Sequence, residues 1–144
     1  MSPREVAIEI ADRYDTNNPF EIARERDIRI LYASMKTTFG FYVRYHRTQN
    51  IILNDALSDG MQQFVCAHEL GHSILHADLN VPKLTRYTMF SRDKFEIQAN
   101  TFAVELLLPD GFLREYADSS IYQLAASVGV PKEFIELKRC ASRV

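Results

Sequence analysis

The stretch "FVCAHELGHSILH", residues 64–76, places His68, His72 and His76 four residues apart, with Glu69 directly after the first histidine. Apolar residues flank the histidines at helical spacing, which predicts one buried α-helix through the stretch. Polar side chains on a buried helix require partners, because burying them unpaired costs free energy. The rest of the fold must therefore supply groups that face these histidines.

The first part of this stretch has the HExxH pattern. Two histidines one helical turn apart lie about 6 Å along the axis and about 40° around it, so both imidazoles can reach one metal ion. Glu69 lies about 100° from His68, beside such an ion, where it can take a proton from an attacking water. We therefore predict His68 and His72 as metal ligands and Glu69 as the general base. A purely structural metal ion is the alternative, but it would require four protein ligands and leave Glu69 without a role.

His76 is a weaker candidate for the third ligand. It lies about 12 Å along the axis and about 80° around it from His68, so an uninterrupted helix cannot bring both to one ion. We expect His76 to contact a ligand residue without binding the ion, to face the substrate, or to be a histidine that suits the C-terminal end of the helix dipole.

A better third ligand lies in "FEIQANTFAVELLLP", residues 95–109. Helical spacing places Glu96 and Asn100 on one face with Ala99, which is small enough to let another helix pack closely. Glu105 lies about 180° away from Glu96 and cannot serve the same site. We predict that Glu96 is the third ligand and that Asn100 holds the outer nitrogen of a ligand histidine. An ordinary solvated glutamate is the alternative for Glu96.

Around these two segments the residue patterns predict an α+β fold with helices on one side of a small antiparallel sheet. Helices are expected over 2–14 and 19–27, a strand over 28–33, and a hairpin from 39 to 54 with its turn at "RTQ". From residue 55 the pattern is helical. The helices predicted there span approximately 57–77, 93–107, 110–117, 120–128 and 131–140.

The length of 144 residues predicts one domain over 1–144. We divide it into N-terminal helices and sheet over 1–56, ligand-bearing helices over 57–109, and C-terminal helices over 110–144. Residues 122–138, "YQLAASVGVPKEFIELK", have the spacing of a helix-turn-helix, which opens a rival hypothesis of a DNA-binding or repressor-binding module. Glu133 and Glu136 leave this segment little net positive charge, so we expect no direct contact with nucleic acid.

The composition excludes several other classes of protein. The formal net charge is −2 with charges of both signs interspersed, which favours neither a nucleic-acid nor a membrane-surface role. The first residues lack the apolar stretch of a signal peptide, and no segment approaches membrane-spanning length. Cys66 and Cys140 form no CxxC pair, so neither a thiolate zinc site nor a disulfide is expected. Cys66 lies about 160° around the helix from His68, so we expect its side chain to pack in the core and not to face the metal. We expect a cytoplasmic protein that does not contact membranes.

Two motifs together resemble the ImmA/IrrE family of metallopeptidases. "HELGH" at 68–72 is followed by "ExxANxFAxxLLxP" from Glu96 to Pro109, and "NNPFEIARERDIRILY" at 17–32 is similar to the N-terminal segment of the family's phage and mobile-element anti-repressors. The resemblance implies a zincin-like core and a gluzincin-like site that binds Zn²⁺ through two histidines and a glutamate. It also implies a protein substrate, a helix-turn-helix repressor that the enzyme cleaves.

Peptide hydrolysis also requires a group that stabilises the oxyanion. The irregular segment 77–92 connects the two ligand-bearing helices, so its Tyr87 and Arg86 are candidates together with His76. We favour Tyr87 as a catalytic residue, with an ordinary exposed tyrosine as the alternative. A protein that neutralises its repressor by binding alone is a further alternative, although Glu69 would then have no purpose.

Overall fold

The computed structural model describes residues 1–77 and 89–138. Their architecture is α+β, as predicted, with a three-stranded sheet followed by a helical second half. The elements are α1 (Pro3–Tyr14), α2 (Pro19–Glu25), β1 (Ile28–Ala33), β2 (Gly40–Tyr45), β3 (Thr48–Asn54), α3 (Asp59–Leu75), α4 (Lys94–Leu107), α5 (Asp110–Glu115), α6 (Ile121–Val128) and a C-terminal 3₁₀ helix (Lys132–Leu137).

Short polar side chains cap the N-termini of the three long helices α1, α3 and α4. Ser2 caps α1 in a reciprocal arrangement with Glu5, and a proline follows it in the first turn. The Ser58 hydroxyl accepts a hydrogen bond from the backbone of Met61 at the start of α3, and Asp93 accepts one from the backbone of Phe95 at the start of α4. These caps satisfy backbone N–H groups that have no partner within the helix, so local sequence determines where the ligand-bearing helices begin.

The sheet is mixed, and the prediction of an antiparallel sheet is wrong for β1. The strand order is β1-β3-β2, with β3 antiparallel to β2 and parallel to β1. After the hairpin turn at residues 46–47, β3 inserts between the first two strands and so runs in the same direction as β1. At the end of β3, the Asn54 side chain donates hydrogen bonds to the carbonyls of Met35 (2.6 Å) and Thr38 (2.9 Å) in the connection between β1 and β2, which fixes that connection against β3. Alternation of apolar residues predicts strands but not their pairing direction.

Helix α3 is the centre of the fold, in contact with the sheet through β2 and β3 and with α4. The two helices approach closely at Gly71, where an added Cβ would lie 3.0 Å from the Phe102 ring and 3.3 Å from the Ala99 carbonyl. Ala99 and Phe102 are fully buried there. The small residues in the sequence therefore mark the line along which the two ligand-bearing helices meet.

The C-terminal part differs from the predicted pair of α-helices. Helix α6 ends at Gly129, whose φ of +87° suits the left-handed cap. The next element in the described chain is a 3₁₀ helix and not the α-helix expected over 131–140. Its Phe134 ring stacks on Phe64 of α3 with centroids 5.4 Å apart, which turns its apolar side to the core. The helix-turn-helix-like assignment is therefore not confirmed.

None of the helices in residues 1–77 and 89–138 is both long enough and apolar enough to cross a membrane.

Candidate metal centre

Packing of α3 against α4 brings His68, His72 and Glu96 together. Oε1 of Glu96 lies 3.2 Å from Nε2 of His68 and 2.9 Å from Nε2 of His72. One potential ligand atom from each of the three residues lies within 4.8 Å of the others. Of the metal-ligating side chains in the described parts of the chain, these three form the group that could hold one metal ion.

The chemistry of this donor set fits a divalent ion. Ligand atoms bonded to zinc at about 2.0–2.1 Å in a tetrahedral arrangement are separated by roughly 3.3 Å, slightly more than the two distances found here. Two imidazole nitrogens and one carboxylate oxygen are also ligands that zinc accepts, with one coordination position left for water or substrate. The donor set and its spacing are therefore compatible with a divalent ion.

The three side chains are largely buried, and their interactions determine the charge of Glu96. The side chains of His68 and Glu96 are 0% and 1% exposed, and that of His72 is 15% exposed. Burial acts to raise the pKa of Glu96, but hydrogen bonds and charge interactions with His68 and His72 outweigh it and hold that pKa below its usual range. Glu96 therefore remains an anion, the form required of a metal ligand.

Asn100, one turn after Glu96 on α4, contacts His68. Its Oδ1 lies 2.7 Å from Nδ1 of His68, while its Nδ2 donates a hydrogen bond of 2.7 Å to the carbonyl of Met89. Because the amide oxygen can only accept, Nδ1 of His68 must carry a proton. With a cation bound between the side chains, a neutral His68 would offer it the lone pair of Nε2.

Glu69 lies beside the group and outside it. The residue is 3% exposed, and its Oε2 is 3.8 Å from Nε2 of His68. A carboxylate at this distance could reach a water molecule on an ion that the three side chains would hold. The opposite side of α3 has a packing role, because Cys66 is fully buried and desolvation raises the pKa of its thiol.

His76 follows the last residue of α3 and contacts His72 rather than Glu96. The two Nδ1 atoms are 3.0 Å apart, and Nε2 of His76 lies 2.8 Å from Oε1 of Gln98 on α4. The His76 ring also packs edge-on against Phe95, with centroids 4.9 Å apart. Of the predicted roles for His76, this geometry supports that of a partner to a ligand histidine.

Sequence reasoning missed Gln98 and the carbonyl of Met89. Gln98 is about 200° around α4 from Glu96, so helical periodicity assigned it to another face. Met89 contributes a backbone atom, for which a side-chain pattern gives no signal. The oxyanion candidates Tyr87 and Arg86 lie outside the described residues.

Comparison with known proteins found a matching family model and similar proteins. A peptidase family model described as the IrrE N-terminal-like domain matches residues 23–138. The chain is 40% identical over 129 residues to "Uncharacterized immunity region protein 2" of Bacillus phage phi105, covering 88% of this chain and 82% of that protein. It is 36% identical over 129 residues to "Metallopeptidase ImmA" of Bacillus subtilis strain 168, covering 87% of this chain and 76% of that protein.

Proposed function

The chain belongs to the ImmA/IrrE family of metallopeptidases, and from this premise we propose that it is a zinc-dependent endopeptidase that cleaves a helix-turn-helix repressor protein. In this role it would act as an anti-repressor of a phage or mobile element. Family membership implies a metal ion and a protein substrate. The identity of the metal, the assignment of catalytic residues and the choice of substrate are the further steps that we propose.

One observation carries the assignment of the site. Nε2 of His68, Nε2 of His72 and Oε1 of Glu96 converge in a buried group, and the Glu69 carboxylate lies next to it without being part of it. A structural ion would use four protein ligands, whereas three ligands with an adjacent carboxylate are typical of catalytic sites. The arrangement supports a gluzincin-like assignment.

The mechanism assigns each described residue one task. When bound, zinc would lower the pKa of a water molecule and polarise the scissile carbonyl. Glu69 accepts a proton from the attacking water as the oxygen–carbon bond forms, and delivers it to the amide nitrogen as the carbon–nitrogen bond breaks. Asn100 holds His68 through its outer nitrogen, and Glu96 supplies the anionic ligand. For the oxyanion we retain Tyr87 as the proposed donor.

The substrate proposal rests on relatives and resemblance. The name of the phage relative assigns that protein to an immunity region, and the Bacillus subtilis relative is named a metallopeptidase. The segment 17–32 is similar to the N-terminal segment of the family's anti-repressors, and the motif from Glu96 to Pro109 is similar to that of the family as a whole. A repressor encoded beside the gene for this chain is therefore the first substrate to test.

The experiment incubates the purified chain with that repressor, with zinc or with a chelator, and identifies fragments by mass spectrometry. We expect cleavage at a defined peptide bond with zinc and none with chelator. The Glu69→Gln variant should bind zinc and repressor normally and produce no fragments, while Glu115→Gln, at an exposed position on α5, should behave as wild type.

Three outcomes would contradict the proposal in different ways. An intact repressor after incubation with the zinc-loaded chain would exclude it as the substrate. Derepression in cells that persists in the Glu69→Gln variant would favour neutralisation by binding alone. Salt-sensitive binding of the chain to duplex DNA would favour the DNA-binding alternative.

A further inference from the structure

We propose that Gln98 is a positioning residue that acts through His76 to hold His72 in the tautomer that binds metal. The inference rests on the proposed function in one respect, the role of His72 as a metal ligand. It adds the side chain of Gln98 on α4 to the site and gives His76, beyond the end of α3, a defined task between Gln98 and His72. Neither is required to touch the ion or the substrate.

The geometry is a chain of two short contacts. Oε1 of Gln98 lies 2.8 Å from Nε2 of His76, and Nδ1 of His76 lies 3.0 Å from Nδ1 of His72. At the other side of the His72 ring, Nε2 lies 2.9 Å from Glu96. Both nitrogens of both rings are therefore engaged, and the chain ends at the metal group.

The direction of these hydrogen bonds follows from the first acceptor. The oxygen of an amide can only accept, so Nε2 of His76 must donate to Gln98. A neutral His76 then has no proton on Nδ1, and this atom must accept from Nδ1 of His72. With an ion bound, a neutral His72 would then offer it the unprotonated Nε2, the atom on the Glu96 side of the ring.

The same logic applies to His68 by a shorter route, because Asn100 accepts directly from its Nδ1. Helix α4 thus supplies three groups to the site, the Glu96 carboxylate and the amide oxygens of Asn100 and Gln98. Each amide oxygen determines the tautomer of one ligand histidine. His72 needs an intermediary, and His76 supplies it because the chain leaves the helix after Leu75. The Phe95 ring packs against His76 and holds it in place.

Three variants test the relay. Gln98→Leu removes the terminal acceptor, Gln98→Glu retains an acceptor oxygen, and His76→Phe removes the intermediary while keeping an aromatic ring against Phe95. The matched control is Gln63→Leu on α3, since the Gln63 side chain donates a 2.9 Å hydrogen bond to the Val128 carbonyl and takes no part in the histidine chain.

The first readout is the zinc dissociation constant, measured by competition with a chromophoric chelator and without substrate. Loss of an outer partner of a ligand histidine weakens metal binding by about 10- to 100-fold, and we expect both Gln98→Leu and His76→Phe to fall in this range. Gln98→Glu and Gln63→Leu should bind zinc as the wild type does. Equal affinity in Gln98→Leu and Gln63→Leu would overturn the proposal.

The second readout is the protonation of the ring nitrogens, measured by ¹H–¹⁵N NMR of the zinc-loaded protein. We expect His72 to carry its proton on Nδ1 and His76 on Nε2, and the His76 preference to be lost in Gln98→Leu. A proton on Nδ1 of His76 in the wild type would overturn the relay.

These measurements separate this inference from the proposed function. If the variants change zinc affinity as expected but the wild-type chain cleaves no repressor, only the proposed function is contradicted. Cleavage by a Gln98→Leu variant with unchanged zinc affinity contradicts only the relay. A wild-type chain that binds no zinc contradicts both.

Discussion

Nε2 of His72 lies 2.9 Å from Oε1 of Glu96, although 24 residues separate them in the chain. Each residue belongs to a different helix, so the contact depends on how α3 packs against α4 and not on either helix alone. Any change that separates the helices should therefore reduce metal affinity before it affects the fold.

The first prediction concerns Glu96 as the anionic ligand. Glu96→Gln removes the charge but keeps the size of the side chain, and should weaken zinc binding by more than about 100-fold, since outer partners alone are worth 10- to 100-fold. Chelator competition measures this, with Glu115→Gln as the exposed control. Unchanged affinity in Glu96→Gln, combined with a large loss in His76→Phe, would assign the third ligand to His76 instead.

The second prediction concerns the close approach at Gly71. In Gly71→Ala, the new Cβ would lie 3.0 Å from the Phe102 ring and 3.3 Å from the Ala99 carbonyl, so the helices must move apart slightly. Overpacking costs about 1–3 kcal/mol, against a gain of up to about 1 kcal/mol in helix propensity. We expect net destabilisation of about 1 kcal/mol in urea unfolding, with weaker zinc binding.

The control for this change is Gly111→Ala on α5, where an added Cβ would meet only the end of Arg114 at 3.9 Å. It should leave stability unchanged or raise it by up to about 1 kcal/mol. A Gly71→Ala variant that is as stable as Gly111→Ala and binds zinc normally would show that the α3–α4 interface can accommodate the additional methyl group.

The third prediction concerns an ionic cluster on the side of α4 away from the metal group. Lys138 lies 2.6 Å from Glu105 and 2.7 Å from Asp110, and Arg4 lies 2.8 Å and 2.6 Å from the same two carboxylates. The side chains of Lys138 and Glu105 are each 1% exposed. The cluster joins α1, α4, α5 and the end of the 3₁₀ helix.

Removal of one charge from this cluster should cost more than removal of a surface charge. Lys138→Met leaves Glu105 buried with one cation fewer, and we expect destabilisation of about 3 kcal/mol. Arg13→Met, which breaks the exposed pair of Arg13 with Glu9 on α1, is the matched control and should not change the unfolding midpoint measurably. Equal midpoints for the two variants would argue against a stabilising role for Lys138.

The fourth prediction is a pH dependence that arises from Asp110. Hydrogen bonds from Arg4 and Lys138 outweigh desolvation and hold the pKa of Asp110 well below its usual range. A carboxyl whose pKa is depressed by folding contributes stability above its unfolded pKa, which is about 3.9, and loses it as pH falls from there towards the folded pKa.

Unfolding by urea at a series of pH values tests this sign. Asp110→Asn should be less stable than wild type at neutral pH, and the difference should shrink as pH falls below about 4. A difference in stability that stays constant or grows towards acid pH would contradict the assignment. In Lys138→Met, the contribution of Asp110 to stability should already be reduced at neutral pH.

Most helix and strand positions followed from local pattern. The helix over 2–14, the strand over 28–33 and the helix over 93–107 were all readable, because caps and periodicity act over a few residues. The direction of β1 relative to β3 was not readable, since it depends on where a later strand inserts. The 3₁₀ form of 132–137 was also missed, because packing of Phe134 on Phe64 is a contact between distant parts of the chain.

Residue spacing alone establishes that His68, Glu69 and His72 share one helix and that Glu96 and Asn100 share a face of another, because helical periodicity converts spacing into direction. Whether these two faces meet, at what distance, and with which additional groups depends on how the helices pack in three dimensions. His76 illustrates the difference: helix geometry separates it from His68, while its contact with Gln98 depends on the chain leaving α3 next to α4. Long-range packing places atoms that no local pattern relates.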